Sequence, residues 1–584
     1  MKFPSINFSI YGKRTYLVLI SVLIGALTTL CAALLKKGVM LMEHIAEHLV
    51  FDSGYHQLFL ILPATGILLT VTFWKLIKIK NERRGMTAVI YNISKQSSVV
   101  AKHKLFSQMV SSIFTVGFGG SAGLEAPIAS TGSAIGSTIA SKLKFSTKER
   151  TLLLACGAAA GISAIFNAPI AGVVFALELL LIDMPVPVVI PLLISSATAA
   201  FLSRYFNLGQ PFVLITDTWN SSHILYYLAL AALAAILSIY CIKIYFFISS
   251  IFSKISNVFV KALIGGTLLG LLIFLFPPLY GEGYDSVQLL LHSQSGEIFK
   301  NITFFEANAL WLPILAALLM FFLKVVATSF TVFGGGNGGM FGSSLFTGAM
   351  LGFTFSRVVN LMGWAELNEI NFTVIGMASL LSGVLQTPLT AIFLIAEITG
   401  GYALFVPLMI TTSITYLATR YVEPHSVYTK QLALKGGLIN LSKDKQVISK
   451  MKLRDYLETD LEIIKINATL GDLIKAIRKS KRNIFPVVDA MNRLQGIILL
   501  DDVKRVMFDQ SQYGTGIKEL MQRPPLVLDI EEDMERVLEK FEEYEAWNFP
   551  VTEKGVYAGF VSKSKIFTFY RQLLIQESDV PMHD

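Results

Sequence analysis

Apolar residues run in long blocks through the first three quarters of this chain. The first block, Tyr16 to Leu35, is long enough to span a bilayer as a helix and is flanked by Lys13-Arg14 and Lys36-Lys37. It exceeds the core of a typical signal peptide and predicts a retained helix; cations on both flanks leave its orientation open. Further blocks cover about 57–74, 150–182, 185–203, 224–251, 262–277, 309–323, 371–396 and 402–419. Several contain Gly or Pro where a simple spanning helix would avoid them, and those between 106 and 140 are too short to cross alone. Broken helices at membrane depth are tolerated where they are buried or line a cavity, and transporter sites take this form. Near residue 443 the pattern changes. Residues 451–510 and 515–573 each show helix, strand, helix and strand patterns. Their cores include Ile484-Phe485-Pro486-Val487-Val488 and Leu494-Gln495-Gly496-Ile497-Ile498, then Asn548-Phe549-Pro550-Val551 and Tyr557-Ala558-Gly559-Phe560-Val561.

The apolar part contains an internal repeat. Gly157-Ala158-Ala159-Ala160-Gly161 leads to Asn167-Ala168-Pro169-Ile170 and then Glu178. Gly376-Met377-Ala378-Ser379 leads to Gln386-Thr387-Pro388-Leu389 and then Glu397. The Gly-to-Pro spacing is 12 and the Pro-to-Glu spacing 9 in both copies, which are offset by 219 residues. A glycine-rich turn precedes each, Gly117 to Gly136 and Gly334 to Gly352. Two related halves with broken-helix turns follow the repeat logic of secondary transporters. The spacing alone leaves open whether the halves are inverted.

Composition sharpens the division. The chain has 584 residues, 53% hydrophobic and 15% charged. Residues 1–442 hold 44 charged side chains, and the remaining 142 residues hold 46. A membrane body is therefore followed by a soluble domain. The net +8 comes from the membrane part and suits flanking cations and anionic lipid; nothing points to nucleic acid. Cys31, Cys156 and Cys241 all lie in apolar stretches and imply neither a disulfide framework nor a thiolate metal site.

Glu125 carries the candidate chemistry. It lies in Val116-Gly117-Phe118-Gly119-Gly120-Ser121-Ala122-Gly123-Leu124-Glu125-Ala126-Pro127. A carboxylate in a membrane segment is costly and usually marks an ion, proton or substrate path. The glycines let backbone N–H groups approach a ligand, Pro127 suits a first helical turn, and the positive end of that helix favours an anion. The side-chain carboxylate can occupy the same place, giving a self-blocked anion site. The alternative is a simple helix cap by Glu125 at a packed turn.

Over essentially its whole length the chain resembles the CLC family of chloride channels and proton-coupled chloride antiporters. Gly120 to Pro127 is similar to that family's Gly-Lys/Arg-Glu-Gly-Pro motif, with Glu125 as its gating glutamate. Gly157 to Glu178, with Phe166-Asn167-Ala168-Pro169 and Gly172, resembles its helix pair. Gly338-Gly339-Met340-Phe341-Gly342-Ser343 is similar to Gly-x-Phe-x-Pro, and Pro424-His425-Ser426-Val427-Tyr428 to the region supplying an anion-contacting tyrosine. The resemblance implies an α-helical polytopic membrane protein of repeated broken-helix architecture with a C-terminal α/β pair of CBS domains. The expected limits are a transmembrane domain at 1–440, with repeats at roughly 13–205 and 222–433, and CBS domains at 446–510 and 511–577. It also implies a homodimer with one anion path per subunit, contacts between subunits through 169–205 and 388–421, and anion donors at Gly123, Leu124, Ala126, Met340, Phe341 and Tyr428. Backbone N–H groups and hydroxyls suit chloride, because they bind it without a full cation that would hold it too tightly.

Four departures from the family pattern matter. The family's Gly-Ser-Gly-Ile-Pro motif falls near Arg83-Arg84-Gly85-Met86-Thr87, with Arg84 at the anion-contacting serine; Arg84 is either an anion contact at the inner mouth or a rim cation. Ser343 replaces a proline and Ala126 a glycine. Leu179 stands where antiporters keep an internal proton-carrying glutamate, and leucine carries no proton. Glu178 beside it reads first as structural or water-organising and second as a proton relay, so Glu178 and Leu179 mark the possible proton path.

The expected function is chloride permeation through a gated path, channel-like or weakly proton-coupled, with a proton-coupled antiporter using another internal carrier as the alternative. A cation exchanger would place paired carboxylates at the break. The eight histidines, among them His103, His223, His292 and His425, form no catalytic or metal set with the apolar region, so neither enzyme nor metal protein is expected. CBS pairs can bind adenine nucleotides through Ser/Thr-x-x-Asp. Here the two copies have Leu499 with Asp502 and Ser562 with Lys565, so no cofactor is expected and a structural or dimer-linking role is preferred. The expected location is a multi-pass place in the membrane, the plasma (inner) membrane if the source is prokaryotic, with the CBS pair cytoplasmic.

Overall fold

The computed structural model describes residues 10–51, 60–77, 84–180, 189–208, 218–300, 311–434, 448, 451–544 and 546–578. The chain divides into two compact units, 1–438 and 439–584. In the first, the opening half comprises α1 (Ile10–Phe51), α2 (Leu62–Leu76), α3 (Gly85–Lys95), α4 (Lys104–Gly117), α5 (Glu125–Lys142), α6 (Thr147–Phe166), α7 (Pro169–Leu180) and α8 (Val189–Tyr205). The second half comprises α9 (Ile224–Ser253), α10 (Val258–Leu275), α11 (Tyr284–Leu291), α12 (Ser295–Lys300), α13 (Leu312–Phe333), α14 (Met340–Leu361), α15 (Glu369–Leu385), α16 (Pro388–Ile398), α17 (Phe405–Val422) and α18 (Val427–Leu434). Among the described residues, five helices are long and apolar enough to cross a membrane.

The apolar blocks 150–182 and 371–396 are each cut in two. Asn167 ends α6 at φ 53° and Gln386 ends α15 at φ 58°, both left-handed. Two residues later Pro169 and Pro388 open α7 and α16. Asparagine tolerates that conformation, and a proline suits the first helical turn. The break therefore occupies the same place in both repeats.

Small residues then bring the helices together. A Cβ on Gly132 of α5 would lie 2.1 Å from the Gly157 carbonyl oxygen of α6, and one on Gly348 of α14 only 2.3 Å from that of Gly376 of α15. The repeat-related pairs α5/α6 and α14/α15 thus touch backbone to backbone, the close approach that small residues permit between membrane helices.

Glu178 and Glu397 give the relation between the halves. Glu178, near the end of α7, accepts hydrogen bonds from the Leu389 and Thr390 amides (both 2.8 Å) and the Thr390 hydroxyl (2.6 Å) at the start of α16. Glu397, near the end of α16, accepts from the Ile170 and Ala171 amides (2.9 and 2.8 Å) at the start of α7. Each helix caps the other's N-terminus, so the two run antiparallel and are related by a local two-fold.

In the second unit, β1 (Ile464–Lys465) pairs parallel to β2 (Ile484–Val488), which pairs antiparallel to β3 (Leu494–Leu499); β4 (Leu528–Asp529), β5 (Asn548–Glu553) and β6 (Val556–Ser562) repeat that order. The alternation read from sequence gains a strand in each copy, because the two apolar runs of each form a hairpin. Asn492 and Gly555, at φ 58° and 84°, turn the hairpins. Helices Leu470–Lys479 and Met534–Glu543 cover the sheets through Leu473, Ile474, Val537 and Phe541.

Candidate functional site

Two glycine turns meet at the centre of the first unit. The Gly123 N–H donates to the Gly339 carbonyl and the Gly339 N–H to the Gly123 carbonyl, each at 3.0 Å. This bridge joins the turn before α5 to the turn before α14, one from each repeat. Side chains fix both turns: the Asn337 amide group donates to the Gln108 carbonyl (2.9 Å) and Ser111 hydroxyl (2.8 Å), the Asn337 N–H to the Thr115 hydroxyl (3.0 Å), and the Ser121 N–H to the Thr331 hydroxyl (3.0 Å).

Glu125 opens α5 beside this bridge and is 1% exposed. A Cβ on Gly123 would fall 2.1 Å from Glu125 Oε2 and 2.8 Å from the Gly342 nitrogen; one on Gly342 would fall 3.2 Å from Glu125 Oε1. The carboxylate therefore fills a space open only because both neighbours are glycines. Its Oε1 accepts from the Tyr284 hydroxyl, while Oε2 is buried with no hydrogen-bond partner among the described residues. A buried acceptor of this kind is costly.

The other expected residues divide. Met340 and Phe341 are the first two residues of α14, where backbone amides lack helical partners. Tyr428, on α18, points its hydroxyl to the same place, 3.5 Å from where a Gly339 Cβ would sit. Ala126 lies in the first turn of α5, its methyl packed against Gly339. These residues converge on Glu125. The Gly123 and Leu124 amides, expected as anion donors, are engaged otherwise: Gly123 in the bridge, and Leu124 by Glu282 Oε1 at 3.1 Å. Arg84 donates to the Gly335 and Gly336 carbonyls (2.6 and 3.3 Å) and lies 4.8 Å from the Trp74 ring centroid, bracing the second turn; Arg83 lies outside the described residues. Ser343, in place of proline, pairs its hydroxyl with Thr328 of α13 at 2.7 Å. Leu179 is buried, and both oxygens of Glu178 are held by α16 as described.

Three residues at the site escaped the sequence reading. Glu282 and Tyr284 come from Gly281-Glu282-Gly283-Tyr284, where Gly281 and Gly283 sit at φ 55° and 82°. Lys324 of α13 is fully buried, donates to the Leu279 and Gly281 carbonyls (3.3 and 2.9 Å), and lies 4.8 Å from the Phe346 ring centroid. The signal was present: the rule that singled out Glu125 applies equally to a lysine inside an apolar helix. Phe166 and Phe175 wall the site through Phe341, with ring centroids 5.5 and 6.1 Å away.

A family model described as voltage gated chloride channel matches residues 66–420, and one described as CBS domain matches 453–509 and 517–571. Among curated relatives, a chloride channel protein of Ralstonia nicotianae named as ClcB-like is 29% identical over 359 residues, covering 60% of this chain and 80% of that protein. The H(+)/Cl(-) exchange transporter ClcA of Vibrio cholerae serotype O1 is 26% identical over 325 residues, covering 53% of this chain and 65% of its own length. Among solved structures, a slow cyanobacterial Cl-/H+ antiporter aligns with a TM-score of 0.61 at 20% identity, over 74% of this chain and 99% of that one. A eukaryotic CLC transporter aligns with a TM-score of 0.60 at 17% identity, over 95% of this chain and 98% of that one.

Proposed function

The chain belongs to the voltage gated chloride channel (CLC) family of anion-transporting membrane proteins, and on that premise we propose that it conducts chloride along a path gated by Glu125. The observation that carries this reading is the seat of the carboxylate. It occupies the space between Gly123 and Gly342, beside the first-turn amides of α14 and the Tyr428 hydroxyl. An anion entering that space must displace it. Protonation removes its charge and its competition with chloride, so flux rises as pH falls. The Gly123 and Leu124 amides join the anion site only when the turn opens, and Arg84 serves as a brace.

Channel-like transport fits Leu179 and the role of Glu178. A relay must give up and take protons, whereas both oxygens of Glu178 are held by three hydrogen bonds from the start of α16. The exchanger and antiporter names among the relatives favour the second reading, in which water or another group carries protons to Glu125. The assembly is a homodimer joined through the exposed apolar faces of α8 and α17, where Ile190, Leu193, Phe201, Met409 and Leu417 lie open. The CBS pair lies in the cytoplasm and works structurally. Ser562 already donates to Glu458 (2.6 Å), and the Lys565 ammonium to the Leu457 carbonyl (3.0 Å), at the positions a ribose would use.

The test is chloride efflux from liposomes as a function of pH. Glu125→Gln is expected to conduct at neutral pH with little remaining pH dependence. Wild-type pH sensitivity in that variant would remove Glu125 from the gate.

A further inference from the structure

Segment 279–284 holds the gate from outside both repeat motifs. Its two side chains reach the same turn from one short stretch of chain. Tyr284 donates to Glu125 Oε1, and Glu282, two residues earlier, accepts the amide of Leu124, the residue before Glu125. One contact holds the carboxylate and the other holds the peptide that carries it. The stretch is shaped for this. Gly281 and Gly283 take left-handed conformations on either side of Glu282. A Cβ on Gly283 would fall 2.6 Å from Phe346 and 3.2 Å from Lys324 Nζ, so a larger residue is excluded. Lys324 then ties down the carbonyls of Leu279 and Gly281 from α13.

We infer that Tyr284 and Glu282 are positioning residues that latch the gate shut, Tyr284 by holding the Glu125 carboxylate in the anion's place and Glu282 by holding the Leu124 peptide. The inference rests on the reading of Glu125 as the gate. A hydrogen bond to an ionised oxygen is stronger than one to a neutral group, so the Tyr284 bond favours the charged, seated form. Protonation weakens that bond and releases the latch together with the gate. The ionisable groups around this pair are Lys36 and Glu43 of α1, Lys324 of α13 and Tyr428 of α18, besides Glu282 and Tyr284 themselves.

The experiment compares chloride efflux from liposomes against pH for the full-length wild type, Tyr284→Phe, Glu125→Gln and the double variant. Tyr284→Phe is expected to raise flux at neutral pH by about tenfold or more, the factor that loss of one charge-assisted hydrogen bond corresponds to. Its flux should begin to rise at a higher pH than in wild type, and the two curves should converge in acid. On the Glu125→Gln background the same substitution should change nothing, because the latch acts only through that carboxylate. Calorimetry should show tighter chloride binding to Tyr284→Phe, since its competitor is less firmly seated. Unchanged flux and affinity in Tyr284→Phe, or an equal change on both backgrounds, overturns the latch. Persistent pH dependence in Glu125→Gln alone overturns the gate instead, so the two failures are told apart. Tyr284→Leu repeats the comparison if Tyr284→Phe is not recovered folded.

Discussion

Tyr428 and Tyr284 approach the same carboxylate from opposite functional sides. On the proposed reading Tyr284 holds the gate, whereas the Tyr428 hydroxyl, beside Gly339, serves the chloride that replaces it. Tyr428→Phe should therefore weaken chloride binding by roughly 1.5–3 kcal/mol, the worth of a hydrogen bond to a charged group, with assembly intact. Calorimetry on the purified protein measures this, and unchanged affinity would mean that the hydroxyl serves another partner. At this scale the sequence is legible where one residue breaks a pattern. Glu125 stands out as a charge in an apolar run, and Tyr428 through its surrounding motif. Glu282 and Tyr284 do not, because their role depends on a loop folding back over a turn about 158 residues earlier. Lys324 escapes for a plainer reason: the apolar block stops at 323, one residue before it, while α13 continues to Phe333.

The exchange of caps between α7 and α16 is the clearest feature at the level of elements. Each carboxylate satisfies two amides that their own helices leave unpaired. Removing a capping side chain costs about 0.5–2 kcal/mol, and these caps are carboxylates at least partly buried. Glu397→Ala and Glu178→Ala should each lower the thermal stability of the detergent-solubilised protein by an amount in that range or somewhat above it. Glu178→Gln should retain chloride flux, since the contact is structural; loss of all transport in a folded Glu178→Gln would return it to the proton path. The equal spacings of 12 and 9 along the chain are enough to reveal the repeat. They do not reveal its inversion, because spacing along a chain is the same whichever way a helix points in the membrane. The contacts of Glu178 with Leu389 and of Glu397 with Ile170 supply the missing direction. The breaks at Asn167 and Gln386 are legible from the prolines two residues on, and Gly132 facing Gly157 is not, because a glycine in a helix does not name its partner.

Coupling of chloride to protons is a property of the whole molecule. On the channel-like reading proposed above, with a leucine at 179 and Glu178 bound as a cap, a chloride gradient should drive little or no uphill proton movement by the wild type. A proton flux assay in chloride-loaded liposomes with the membrane potential clamped decides it, and robust uphill transport would establish the antiporter. The CBS pair should show no shift in melting temperature with millimolar adenine nucleotide; a rise of several degrees would identify a ligand that Leu499 and Lys565 argue against. The exchanged caps also bear on how the protein is made. Glu178 precedes α16, so that helix finds its cap already synthesised. Helix α7 has no such advantage, because Ile170 is synthesised 227 residues before Glu397. At about 5–20 residues per second, that is a wait of roughly 10–45 s before Glu397 can reach the Ile170 and Ala171 amides. During translation the first half thus presents a helix start that only the second half of the chain completes.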